Sequence, residues 1–169
     1  MPNKLKGNSG FTLIELLLVI AIIAILAATI FVALDPLKRF QDTRDARRWS
    51  EVEEMIHAIK IDQIDNRGKY LDAIANLPQN EVWMISATNT ATTSCNVACA
   101  AVASTSACLD LSGLQDEGYL SAVPVSPSSP DIASDWSSDY TGYTIQKSGQ
   151  YITITACEGE GGETITVQR

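Results

Sequence analysis

Histidine is almost missing from this chain: His57 is the only one in 169 residues. There is no G-x-S-x-G elbow and no phosphate-binding glycine loop, and no cysteine–histidine pair has a plausible catalytic context. The serines fall in loops without a base partner in sequence view. No enzyme is expected from these patterns. Zinc is disfavoured as well, because the cysteines include no C-x₂-C pair; the closest spacing is the C-x₃-C of Cys95 and Cys99. Positive charge is also short, with 12 Lys and Arg against 20 Asp and Glu, a net charge of −8. A surface of that sign cannot displace counterions from phosphate, so no nucleic acid partner is expected. The one basic cluster, Lys38, Arg39, Arg44, Arg47 and Arg48, is interleaved with or followed by Asp35, Asp42, Asp45, Glu51, Glu53 and Glu54. Helix-surface ion pairs and contacts between packed subunits account for it more economically than DNA or lipid headgroups.

What the chain has instead is one long apolar run. From Phe11 to Leu34 only Thr12, Glu15 and Thr29 are polar, and the short segment before it carries Lys4 and Lys6 but no acid. As a helix, this run would extend about 36 Å, enough to cross a hydrocarbon core of about 30 Å with some tilt. Glu15 is the anomaly, since a carboxylate inside a membrane helix costs about 2.5–3.5 kcal/mol on insertion scales and usually exists to pair with something. A secretory signal peptide would have a shorter apolar core followed by a small-x-small cleavage site, and none follows Ala33. A plain signal anchor would span equally well but would need neither Glu15 nor the Gly10-Phe11 junction.

Gly10-Phe11-Thr12-Leu13-Ile14-Glu15-Leu16, a glycine–phenylalanine junction with glutamate fifth after it, resembles the class III signal of type IV pilins and type II secretion pseudopilins. The resemblance implies cleavage between Gly10 and Phe11 by a membrane-embedded prepilin peptidase and methylation of the new Phe11 amine. Glycine suits such a cut because it lets the backbone extend into a cleft without a Cβ clash. The resemblance also implies that Glu15 neutralises the Phe11 amine of a neighbouring subunit and fixes register in a helical filament. A buried charge satisfied only by a partner can serve as such a device. Many members carry a proline about twenty residues into the mature helix, where this chain has Val32. Here the first proline after the leader is Pro36, so a kink or unwinding is expected near residues 32–36.

Cation counts near the membrane oppose this orientation, since the positive-inside rule would place residues 38–48 in the cytoplasm. A ten-residue leader is, however, the wrong size for an exported domain, and the cysteines and Ser/Thr-rich body suit an exported compartment. Loss of Lys4 and Lys6 with the leader moves the side-chain charge from −8 to −10. Cys95, Cys99, Cys108 and Cys157 allow two bridges with three possible connectivities, among which sequence does not choose.

The expected fold is α+β and pilin-like, a long N-terminal transmembrane and amphipathic α-helix packed on a small C-terminal antiparallel β-sheet. The divisions are a leader over 1–10, an assembly helix over 11–34, the second half of the helix over 35–68 and an exported head over 69–169. Ala46, Trp49, Val52, Met55/Ile56, Ile59 and Gln63/Ile64 recur at spacings of three and four, with acids and bases in the other positions. The Asn66-Arg67-Gly68 stretch should stop this helix, and His57 on it reads as exposed or packed. Glu81 to Ile85 is a candidate strand, and Ser86 to Ala107 a loop-rich insertion stapled by disulfides. Asp110 to Leu120 suggests a short helix, followed by a loop punctuated by Pro124, Pro127 and Pro130. Tyr143–Gln146, Tyr151–Thr155 and Thr164–Val167 alternate in the manner of strands, with Gly149 and Gly159 to Gly162 in the turns.

No cofactor is required. Asp131, Asp135 and Asp139 form a weak calcium candidate, against the plainer reading of a solvated acidic turn region. The expected function is a structural subunit of a type IV pilus-like filament, a homo-oligomer handled by pilus or secretion assembly machinery. The precursor would be a single-pass protein of the cytoplasmic membrane and the product an extracellular filament. Two alternatives remain: a pseudopilin of a type II secretion or DNA-uptake system, and a membrane-tethered surface binding module.

Overall fold

A computed structural model describes residues 10–88, 99, 102, 108–128 and 136–169. The chain divides into two compact units, one ending at Arg39 and the other running from Phe40 to Arg169.

The first unit is dominated by α1 (Leu13–Leu34), which buries none of its residues. Its polar Thr29 returns its hydroxyl to the Leu26 carbonyl at 2.8 Å, so the helix carries no unmet hydroxyl on its apolar surface. α1 is long and apolar enough to cross a membrane by length and composition. It stops at Asp35, which sits in the left-handed region at φ 36° and ψ 72°, and α2 (Pro36–Asp65) starts at the next residue. The expected interruption is therefore real and has a local cause. Proline cannot donate to the preceding turn but is well placed as the first residue of a new helix. Asp35 caps that new helix by accepting from the Lys38 N–H at 3.4 Å, and Arg39 Nε donates to the Leu34 carbonyl at 3.3 Å.

In the second unit, α2 ends as its sequence suggests. Gly68 N–H donates to the Gln63 carbonyl at 2.7 Å and Arg67 N–H to the Ile64 carbonyl at 3.3 Å, a Schellman closure with Arg67 itself left-handed at φ 58°. The chain then forms α3 (Asp72–Ala75), β1 (Val82–Ser86), β2 (Cys108–Asp110), α4 (Ser112–Asp116), β3 (Tyr143–Ser148), β4 (Tyr151–Ala156) and β5 (Thr166–Gln168). The strands lie in the order β2-β1-β3-β4-β5. β1/β3, β3/β4 and β4/β5 are antiparallel, as expected for the C-terminal meander, while β2 adds to the far edge parallel to β1. The sheet is thus mixed, and the fold is the α+β pilin-like layout.

α2 packs its inner face against this sheet. Val52, Met55, Ile56 and Ile59 join Ile85, Leu109, Tyr143, Ile145, Ile152 and Ile154 in one core. Strand alternation sends Met84 the other way, into a second cluster with Cys99, Trp136, Tyr140 and Cys157. Both faces of the sheet are therefore covered near β1.

The helix stripe needs one correction. Ala46 is exposed, Trp49 half-buried and Ile64 74% exposed, whereas Asp45, Arg48, Glu51 and Asp62 are buried. Positions 45, 48, 52, 55, 59 and 62 form the continuous inner row, so charged residues occupy its first two places and its last.

Candidate functional site

The segment around the glycine–phenylalanine junction lies outside the helix. Gly10, Phe11 and Thr12 carry no helical assignment, Phe11 is 84% exposed, and a Cβ built on Gly10 meets nothing within 4 Å. Among the described residues, then, nothing imposes glycine at position 10. α1 opens immediately afterwards through a capping box. Thr12, extended at φ −85° and ψ 151°, accepts the Glu15 N–H on its side chain at 3.3 Å. Glu15 Oε2 in turn accepts the Thr12 N–H at 2.8 Å and the Thr12 hydroxyl at 2.7 Å. This reciprocal pairing satisfies donors that a helix start otherwise leaves open, and a carboxylate there opposes the positive end of the helix dipole. Among the described residues nothing donates to Glu15 Oε1. The anomalous acid of the apolar run is therefore half-satisfied by its own helix and retains one oxygen for a further donor.

Residues 5–31 match a family model described as the prokaryotic N-terminal methylation motif. The chain carries a type IV prepilin signal. No curated protein and no solved structure matches the chain. The prepilin signal covers Gly10, Phe11 and Glu15 together with most of α1, and supports a pilin- or pseudopilin-type protein.

The cysteines are the second group singled out by sequence. Cys99 and Cys157 form a disulfide across 58 residues of sequence, and Cys108 is also disulfide-bonded. Cys95 lies outside the described residues, as do Asp131 and Asp135 of the calcium candidate. Asp139 is described: its carboxylate accepts the Thr88 hydroxyl at 2.6 Å, and its N–H donates to Ser137 Oγ at 3.3 Å. His57 is exposed on α2. It shares the rim of a shallow hollow with Ser50 and Glu53, but no hydrogen bond links the three.

Sequence reasoning missed a buried ionic cluster in the head. Arg48, fully buried, donates through Nη1 to Asp45 Oδ1 at 2.6 Å and to Glu160 Oε1 at 2.9 Å. Its Nε reaches Ser126 Oγ at 3.1 Å and its Nη2 the Pro127 carbonyl at 2.8 Å. Arg44 grips the same Glu160 with two donors, one of them Nε at 2.7 Å. Asp45 also accepts the backbone N–H groups of Glu160, at 3.0 Å, and Gly161, at 2.7 Å. The Arg44 hydrogen bonds, helped by Arg48, outweigh the opposing effect of burial and hold the Glu160 carboxyl down at about 2. One turn further on, Glu51 accepts from Arg47 Nε at 2.7 Å and from the buried Tyr143 hydroxyl. Burial first, and Glu51 second, push the Tyr143 phenol far above its ordinary range. The available signal was phase: Arg48 stands four residues ahead of Val52 and Asp45 three ahead of Arg48, which puts both in the inner row.

Proposed function

We propose that this chain is cut between Gly10 and Phe11, methylated on the Phe11 amine, anchored in the cytoplasmic membrane by α1, and polymerised through α1 as a structural subunit of a type IV pilus-like extracellular filament. The carrying observation is the prepilin signal lying on a helix that buries none of its apolar residues. Such a helix is incomplete alone: lipid satisfies it before assembly and sister helices afterwards. Glu15 then has two roles, capping its own helix through Oε2 and offering Oε1 to the Phe11 amine of a neighbour. The peptidase and the assembly machinery are the partners this route requires.

Mass spectrometry of the mature protein should find Phe11 first, with one added methyl on its amine. Recovery of an N-terminus at Met1 from membranes of a peptidase-competent host would contradict the cut. Surface filaments labelled by an antibody against the head would support the pilus reading. A methylated protein confined to the periplasm would point instead to a pseudopilus.

A further inference from the structure

Four oxygens from three separate segments converge on the buried Arg48 guanidinium: Asp45 Oδ1 from α2, Ser126 Oγ and the Pro127 carbonyl from the proline-punctuated loop, and Glu160 Oε1 from the loop between β4 and β5. Two carboxylates, a carbonyl and a hydroxyl are the donor types that gather around a hard divalent cation. Here the position is taken by a fixed, always-charged fork that matches several acceptors at once. Arg44 adds a second positive charge on the outer side of Glu160, and Asp45 ties down the backbone of Glu160 and Gly161. The loop so held carries Glu158, Glu160 and Glu163, which repel one another when no cation is near.

We propose that Arg48 is the internal cation of an oxygen cage that closes the β4–β5 loop and the 126–127 segment onto α2, so that this closure needs no bound metal ion. The charge does the closing, and the fork adds geometry. The proposal concerns the head alone and does not depend on filament assembly.

The test is thermal melting of the full-length chain in detergent, followed by near-ultraviolet circular dichroism. Arg48→Met keeps most of the volume and removes the charge, leaving Asp45 and Glu160 with a weakened counter-charge. It should lower Tm by about 10 °C or more. Arg48→Lys keeps a cation and loses the fork, and should retain at least half of that difference. Equal losses in the two variants, or failure of both to fold, would show that charge is not what closes the loop and would overturn the proposal; so would an Arg48→Met protein that melts with the wild type. A folded Lys variant beside an unfolded Met variant supports it. Arg48→Ala opens the cage to solvent, and added calcium should raise its Tm more than that of wild type, or restore folding if it is unfolded without calcium. An equal calcium response in both proteins, or no response in the variant, would overturn the cage of oxygens.

Discussion

The start of α1 and the β4–β5 loop of the head handle carboxylates in opposite ways. Glu15 sits at the start of a helix that exposes every apolar residue it has, and among the described residues its carboxylate accepts only the Thr12 N–H and the Thr12 hydroxyl. Glu160 sits in a head that buries its charges, and two arginines of the same chain surround it. The first arrangement is open, with one oxygen that no donor among the described residues reaches. The second is closed, with every acceptor engaged by residues 44–48. On the function proposed above, the first region is completed by a partner, whereas the second finds its counter-charges within the head.

The largest effect should come from breaking the open end. Glu15→Ala removes both the cap and the charge, whereas Glu15→Gln can still accept the Thr12 N–H but carries no charge. If a neighbour's amine is buried against Glu15, each subunit loses about 3–5 kcal/mol in either variant. That is at least a hundredfold in subunit affinity, so sheared-filament yield should collapse while membrane levels of the processed protein hold. Normal filament yield from Glu15→Gln would reduce Glu15 to a helix cap and dissolve the contrast with Glu160.

Next in size is the staple on the head. Replacing Cys99 and Cys157 together by alanine opens a loop with a sequence separation of 58, which the chain-entropy account values at roughly 4 kcal/mol. Denaturant midpoints of the head should fall accordingly, while Phe11 processing should not change. A drop in processing would mean that the two regions are less independent than their construction implies.

How much of this was legible in the sequence follows the same division. The apolar run, the junction and Glu15 were readable because their meaning is carried by consecutive residues. The break at Asp35-Pro36 and the stop at Asn66-Arg67-Gly68 were readable because backbone chemistry is local. Tyr151 to Thr155 announced a strand through strict alternation, and its burial pattern keeps to it. The inner face of α2 was misphased because Asp45 and Arg48 look like surface residues until Glu160, more than a hundred positions away, is known to be beside them. β2 was hidden for a related reason. Three residues, Cys108 to Asp110, are too few to show a period, and only pairing with β1 makes them a strand.

Acid should sharpen the comparison at the closed end. The Glu160 carboxyl is held at about 2 when folded against an ordinary 4.5. Its contribution is therefore fully present above about pH 4.5 and lost as pH falls from there toward 2, on the order of 3 kcal/mol. Urea midpoints should decline across that window, and Glu160→Gln should flatten the decline while lowering stability at neutral pH. A wild-type decline unchanged by Glu160→Gln would assign the acid sensitivity to other carboxylates.

The smallest effect belongs to Tyr143. Tyr143→Phe leaves Glu51 with Arg47 but removes a buried donor, a loss of about 1–3 kcal/mol read from chemical denaturation. In alkaline spectrophotometric titration the same variant should remove no phenolate signal from the folded protein, because burial keeps Tyr143 protonated beyond the range of the exposed tyrosines.

The ionic cluster joins residues 44–48 to residues 160 and 161, sequence separations of up to 116. Ribosomes deliver the chain from the other end, so Arg44, Asp45 and Arg48 emerge long before Glu160 and Gly161. Contacts of such long range close late, since loop entropy must be overcome before they contribute. Closure of the cluster is consequently a late event in folding, and until it happens the inner row of α2 lacks the contacts that the β4–β5 loop supplies. Whatever shields the apolar row of α2 from aggregation has to act within that window, which closes when Glu160 and Gly161 reach the arginines and Asp45.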